Sequence, residues 1–199
     1  MKKITSHVLG ALTITLACAS VFAVDGAITI NGAITDQTCI LGAYLGTGTG
    51  IKDITIPLSP VSKSNFTPTN TTQGVKNVFL SLLNPSGAAC DVAINKVFRG
   101  AHLSPISPDD LDATDKTLLV NKAVGAGGAS AINPVFIRMF TEHGNAVDFS
   151  APWGTQARGL VYGHDFHRYL AYRAGYVSKT GTVDAQNVTA TINYTLHYN

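Results

Sequence analysis

The chain has 199 residues, a formal net charge of +2 and only 13% charged residues. Lys2 and Lys3 account for that net charge, so the rest of the chain is neutral and carries no basic surface for nucleic acid or anionic membranes. These two lysines precede an apolar stretch and a small-residue site that ends at Ala23. The order is typical of a secretory signal peptide, residues 1–23, and residues 24–199 then fit one domain.

Two other forms of processing are compatible with the N-terminus. Cleavage after Ala19 would lengthen the mature chain, and Cys18 lies in a poor match to a lipoprotein box. No later segment reaches the roughly 20 apolar residues of a membrane helix. The sequence therefore indicates an exported chain, with lipid anchoring as the less favoured alternative.

Two cysteines, Cys39 and Cys90, remain after the predicted cleavage. An exported chain with two cysteines most simply carries one disulfide. The bond would close a loop of about 50 residues and contribute roughly 4 kcal/mol in the chain-entropy estimate. A metal pair or a reactive thiol is the alternative, but neither a C-x-x-C spacing nor a nearby histidine favours it.

Both ends of the mature chain alternate apolar and polar residues with a period of two. In residues 24–34, one face carries Val24, Gly26, Ile28, Ile30, Gly32 and Ile34. In residues 188–199, one face carries Val188, Ala190, Ile192, Tyr194, Leu196 and Tyr198. This period predicts strands with one buried face, and their edges carry hydrogen-bonding groups that need partners.

Between these ends, the pattern of apolar runs and turn residues predicts only strands and loops. Strands are predicted at 51–58, 75–83, 90–99, 116–121, 133–141, 146–149, 169–177 and 182–186. Loops are predicted at 40–50, 59–74 and 102–113. Because no run of twelve residues has helical periodicity, we expect an all-β sandwich or barrel.

The sequence offers little support for an enzyme, a metal site or a cofactor. His164 and His167 are three residues apart, a spacing that aligns side chains on a helix but not on a strand. The acidic cluster around Asp110 lacks the glycine and terminal glutamate of a calcium loop, and no G-x-S-x-G elbow is present. Trp153, between proline and glycine, is better explained by packing than as a sugar platform.

Four segments carry a resemblance that spans nearly all of the mature chain. They are the alternating start that runs into Cys39, the strand 78–82 that leads to Cys90 and to 97–100, the run 135–140 before a Gly-Asn turn, and the tail from Tyr172 to Asn199 with a penultimate tyrosine. In this combination the chain resembles a structural pilin of chaperone–usher fimbriae of the type 1 kind.

The resemblance implies an incomplete immunoglobulin-like sandwich that lacks its last strand. In such pilins, a periplasmic chaperone fills the open groove with its own strand. At the outer-membrane usher, the N-terminal extension of the next subunit replaces that strand. This is β-strand addition, in which main-chain hydrogen bonds supply affinity and alternate side chains fill pockets. It also covers an edge that would otherwise aggregate.

The resemblance also implies roles for particular residues. Residues 24–38 would be the donor extension and residues 39–199 the pilin domain, with Cys39–Cys90 as the bridge of the family. The donor strand would present Gly26, Ile28, Ile30 and Ile34. The strand that the chaperone binds would present Ile192, Tyr194, Leu196 and Tyr198, with the Asn199 carboxylate as an anchor. Only two residues would precede Gly26 after the first cleavage site, a departure from the family pattern.

The expected function is that of a structural subunit of an extracellular fimbria, exported through the periplasm and polymerised with other copies as the major rod subunit. The alternative is a minor tip pilin or adhesin that binds a host glycan or protein. A third reading is a monomeric exported binding sandwich. None of the three calls for a cofactor or a nucleic acid.

Overall fold

Eight β-strands form the fold of residues 38–199, the part of the chain that the structure, a computed structural model, describes. The predicted signal peptide and the donor residues Gly26, Ile28, Ile30 and Ile34 lie outside the described residues. The strands are β1 Ile40–Tyr44, β2 Thr72–Leu83, β3 Phe98–Pro105, β4 Leu118–Val120, β5 Phe136–Thr141, β6 Val161–His164, β7 His167–Val177 and β8 Ile192–Tyr198.

The strands form two sheets of different size. The large sheet has the order β1-β2-β7-β5-β4, and β6 pairs with β7 as a hairpin. The small sheet consists of β3 and β8, which run antiparallel. All of these strand pairs are antiparallel, as in sandwiches built from hairpins and longer crossovers.

One hydrophobic core joins the two sheets, because alternate residues of each strand point to the same side. The large sheet contributes Leu41, Val78, Leu80, Leu82, Leu119, Met139, Leu170 and Tyr172. The small sheet contributes Phe98, Ala101 and Leu103 from β3 and the half-buried Ile192, Tyr194 and Leu196 from β8. The prediction of an incomplete immunoglobulin-like sandwich is in keeping with this arrangement.

The segment 90–99 was predicted as a strand, and that prediction was wrong. A short helix, α1 Val92–Val97, follows Cys90, and only Phe98 and Arg99 belong to β3. The buried Asn95 donates from its Nδ2 to the Cys90 carbonyl (2.8 Å), and its backbone N–H donates to the Asp91 carbonyl (2.9 Å). These local hydrogen bonds, the disulfide to Cys39 and the burial of Ile94 in the main core together override the preference of a valine- and isoleucine-rich run for strand.

Further segments differ from the sequence prediction. The predicted strands at 146–149 and 182–186 are not strands in the structure, where Ala146 makes only an isolated bridge to Phe140. The glycine-rich segment 40–50 begins with β1, whose Leu41 is fully buried. The predicted strand at 51–58 makes only isolated bridges at Ile51 and Thr55, which are separated by a bend in which Lys52 has φ +67°. The predicted loop from 102 is strand up to Pro105. Glycine content and short-range breakers were misleading where long-range pairing decides the structure.

The strongest strand predictions were confirmed. The predicted strands at 75–83, 133–141 and 169–177 correspond to β2, β5 and β7. The C-terminal strand is β8, with its inward row at Ile192, Tyr194 and Leu196. These segments combine high β-propensity with strict alternation, so local and long-range preferences agree.

Candidate functional site: an open strand edge

The candidate site is the edge of β8 that faces away from β3. Along its other edge, β8 pairs with β3 so that Thr195 is opposite His102 and Tyr194 is opposite Leu103. Within residues 38–199, no strand pairs with the second edge of β8. In this part of the chain, a seven-residue strand thus has one edge without a ladder.

The direction of the backbone groups on β8 follows from the partners of β3. The N–H and C=O of Leu103 both bind the side chain of Gln156, so they point away from β8. Leu103 and Tyr194 therefore form a non-hydrogen-bonded pair of the ladder. Along an antiparallel strand, the backbone N–H and C=O groups of successive residues point alternately toward the partner strand and away from it. The backbone groups of Ile192, Tyr194 and Leu196 accordingly point to the open edge.

The side chains of these same residues point into the core but are incompletely covered. Ile192, Tyr194 and Leu196 are half-buried and pack against the main core. The Tyr194 hydroxyl also accepts a hydrogen bond from the Leu41 N–H of the large sheet at 3.2 Å. Tyr198 remains 40% exposed beside Phe98, with ring centroids 5.7 Å apart.

A second row of alternating apolar residues in the described chain is also only partly buried. Nine apolar residues are half-buried against the main core, and seven of them belong to two alternating rows. The rows are Ile54, Ile56 and Leu58, and Ala190, Ile192, Tyr194 and Leu196. The incompletely buried apolar side chains are concentrated in these two rows. A further strand with one apolar face would therefore complete the core better than isolated side chains from loops.

A cavity of about 250 Å³ lies at the beginning of this edge, beside Ala190 and Thr191. Its apolar lining comes from Ile106, Val120 and Ala190. A hydrogen bond from the Ser107 N–H and the neighbouring Lys122 ammonium, 3.3 Å away, lower the pKa of Asp110 at this cavity. The cavity therefore combines space for an apolar side chain with a charged pair.

The chain end is tied to the body of the protein by its backbone. The Asn199 N–H donates to the Val97 carbonyl at 3.0 Å, while Asn199 itself is exposed. Burial, and then the neighbouring Tyr194, raise the pKa of the Tyr198 hydroxyl. The C-terminal residue is thus held at the end of the open edge, where a partner can reach it.

The opposite edge of the small sheet is closed by the loop after β5. Gln156, only 4% exposed, accepts from the Leu103 N–H (2.9 Å) and donates to the carbonyls of Leu103 and Asp148 (both 2.8 Å). The side-chain amide thereby takes the place of a neighbouring strand. Sequence reasoning missed this residue, because no local motif marks a glutamine that caps a strand 53 residues away.

The other candidate residues have structural partners. Cys39 and Cys90 form a disulfide with Cα atoms 6.3 Å apart. His164 and His167 are cross-strand partners in the β6–β7 hairpin, and the His167 Nε2 lies 2.6 Å from the Ser81 Oγ. Among residues 38–199, no group of His, Cys, Asp or Glu side chains has metal-binding geometry, and no helix is long and apolar enough to cross a membrane.

Comparison with solved structures defines the class of fold. The chain matches a subunit of a chaperone–usher pilus solved to explain rod uncoiling, with a TM-score of 0.51, 17% identity and coverage of 87% of this chain and 95% of that one. It matches the P pilus rod subunit PapA with a TM-score of 0.51, 20% identity and coverage of 87% and 100%. The fold is the incomplete immunoglobulin-like fold of pilins.

Comparison of sequences leads to a particular relative. The chain is 29% identical to the F17 fimbrial protein of Escherichia coli over 199 residues, which is 100% of this chain and 99% of that protein. No protein-family model matches the chain. The chain is thus similar in sequence to a fimbrial protein and in fold to pilus subunits, and these similar proteins are structural pilus subunits rather than enzymes.

Proposed function

We propose that the chain is the major rod subunit of an adhesive surface fimbria and that it polymerises by donor-strand exchange. Residues 24–38 of one copy would pair with the open edge of β8 in the next copy. The observation that carries the proposal is the β8 edge that no strand of residues 38–199 covers, because its outward backbone groups and incompletely covered apolar side chains belong to the same residues. An added strand would satisfy both.

The donor strand has the composition that this edge requires. Ile28, Ile30 and Ile34 are spaced by even numbers of residues, so in a strand they would share one face and complete the cover of the core, while Gly26 would allow close approach of the backbone. Burying one isoleucine contributes about 2 kcal/mol, so three contribute roughly 6 kcal/mol before the cost of ordering the strand. The new ladder adds main-chain hydrogen bonds to this sum.

Before assembly, the open edge needs a temporary partner, because an unpaired apolar strand is a site of aggregation. We infer that a periplasmic chaperone adds its own strand to β8 and contacts Ile192, Tyr194, Leu196 and Tyr198. The exposed Asn199 carboxylate offers that chaperone a charged anchor point. At an outer-membrane usher, the donor segment of the next copy would then replace the chaperone strand.

The assignment to the rod is supported by the presence of both halves of the contact in one chain. A donor segment at one end and an acceptor edge at the other form a head-to-tail contact, which gives open filaments when the rotation does not close. A terminal adhesin does not need a donor segment. Similarity in length and sequence to a fimbrial protein that the chain covers from end to end is in keeping with this role.

Deletion of residues 24–34 behind an intact signal peptide tests the proposal. We expect the shortened subunit to accumulate in the periplasm and to form no surface fibres, because it can accept a strand but cannot donate one. The matched control is the conservative double variant Ile28→Val and Ile30→Val, which keeps the apolar face and should assemble. Normal fibres from the deleted chain, seen by electron microscopy, would refute donor-strand exchange through this segment.

A further inference from the structure

A cluster of rings holds the outer face of β8, opposite the side that points into the core. The His197 imidazole stacks on the Trp153 indole, with centroids 3.9 Å apart and planes within 4°. The Arg158 guanidinium lies over the same indole at 4.1 Å. The His102 ring is 6.2 Å from that of His197. We call Trp153, Arg158, His102 and His197 the Trp153 cluster.

The backbone of the small sheet is shaped to receive the indole. Gly100 lies opposite His197, just after an irregularity in the β3–β8 register, and has φ +134°. A Cβ at this position would meet the Trp153 Cη2 at 3.3 Å. Glycine is therefore favoured both by the backbone conformation and by the space that the indole takes. Trp153 contacts both strands of the small sheet in this way.

The loop that carries Trp153 is itself fixed to β3. Gln156 binds the backbone of Leu103, and the His102 Nε2 lies 2.9 Å from the Ala151 carbonyl oxygen. The indole consequently rests on a rigid support rather than on a free loop. Because its faces are used by protein side chains, Trp153 acts by packing, as the sequence indicates, and does not present an open sugar platform.

We propose that the Trp153 cluster positions β8 for strand addition. The stack holds His197 on the outside of β8, and its neighbour Leu196 then points inward with its backbone in the register that a donor strand needs. This inference rests on the proposed function and names the residues that control it. A β8 that twists or frays at this end would pair with a donor more slowly and release it sooner.

The cluster also makes the position of β8 depend on pH. Burial, and then His102 from β3 and Arg158 from the supporting loop, lower the pKa of His197 from its ordinary value of 6.5. Folding therefore favours the neutral imidazole. The support is complete above about pH 6.5 and declines as the pH falls through the lower pKa of the folded chain.

The test measures how fast the oxidised mature chain, residues 24–199, captures a fluorescent peptide of residues 24–36. We expect His197→Ala and Arg158→Ala to slow capture roughly five-fold, and Trp153→Ala somewhat more, the size of effect that aromatic and cation–π contacts support. His197→Phe should capture at the wild-type rate, because the stacked ring remains. Tyr162→Ala, which removes a ring stacked on Tyr169 in the large sheet, is the matched control and should have no effect.

The pH profile separates positioning from general stability. The wild-type chain should capture the peptide several-fold more slowly at about pH 5.5 than at about pH 7.5. His197→Phe should lose that dependence. Wild-type capture rates in His197→Ala and Arg158→Ala, or acid sensitivity retained in His197→Phe, would overturn the role of the cluster while leaving strand exchange in place. A wild-type chain that captures no peptide at any pH would instead overturn the proposed function.

Discussion

The two edges of the small sheet differ in how their backbone groups are satisfied. On the β3 edge, the Gln156 side chain binds both the N–H and the C=O of Leu103, and a loop covers the strand. On the β8 edge, the corresponding groups of Ile192, Tyr194 and Leu196 point outward, and no strand of residues 38–199 pairs with them. The same two-stranded sheet thus has one closed edge and one open edge.

This difference indicates which edge accepts a strand. A protein that only had to avoid aggregation would close both edges, by loops, charges or bulges. Here the closed edge uses a buried glutamine at 4% exposure, while the open edge carries an apolar row and no inward charge. The asymmetry is what a subunit needs if it must take up one strand, in one place, and no other.

The largest expected effect is on the hydrogen-exchange rates of the β8 amides, which report at single residues whether a backbone group is paired. In the chain without a donor, the amides of Tyr194 and Leu196 should exchange quickly, and that of Thr195, which faces β3, slowly. Adding the peptide of residues 24–36 should slow the first two by about a thousand-fold or more, since they enter a ladder. Equal protection of neighbouring amides before addition would show that the β8 edge is not open.

Gln156→Ala would open the closed edge. The variant leaves the N–H and C=O of Leu103 without partners, and we expect a loss of about 2–4 kcal/mol in the free energy of unfolding, together with faster exchange of the Leu103 amide. Gln156→Met, which fills a similar volume without an amide, separates hydrogen bonding from packing. Denaturant unfolding of both variants provides the measurement, and an unchanged Leu103 exchange rate would contradict the capping role.

Tyr194→Phe has the smallest expected effect, because it removes a single contact between the sheets. The hydroxyl accepts from the Leu41 N–H at 3.2 Å, so the variant should lose about 1 kcal/mol in the free energy of unfolding. Capture of the donor peptide should change little, because the ring and the outward backbone groups remain. Tyr162→Phe on the other face of the large sheet serves as the control, and equal stability of Tyr194→Phe and wild type would argue against this bond.

Sequence patterns predicted the β8 strand but not the closure of the β3 edge by Gln156. The alternation from Val188 to Tyr198 indicated an amphipathic strand, and the structure has a strand at Ile192–Tyr198 in which Ile192, Tyr194 and Leu196 pack against the main core while Tyr198 is 40% exposed. Nothing local distinguishes Gln156 from an ordinary surface glutamine, or Trp153 from any loop tryptophan. Their roles depend on strands about 50 residues earlier in the chain. Local sequence patterns cannot predict contacts over such a separation.

The error at residues 90–99 has the same origin. Valine, isoleucine and phenylalanine in that run favour a strand by propensity. The disulfide to Cys39 and the buried Asn95 amide instead fix the backbone in a helical turn directly after Cys90. A short segment with weak intrinsic preference follows its tertiary contacts, because helix and strand propensities differ by less than about 1 kcal/mol per residue.

The sequence by itself determined the class of the protein. A cysteine pair, the all-β pattern and the two alternating ends can all be read from residue order, because period and composition are local properties. Only the tertiary structure decided which edge of the small sheet is closed, how β3 and β8 are registered, and that a tryptophan and a histidine meet on the outer face of β8. Those features arise from contacts between distant segments, and their energies exist only when the chain is folded.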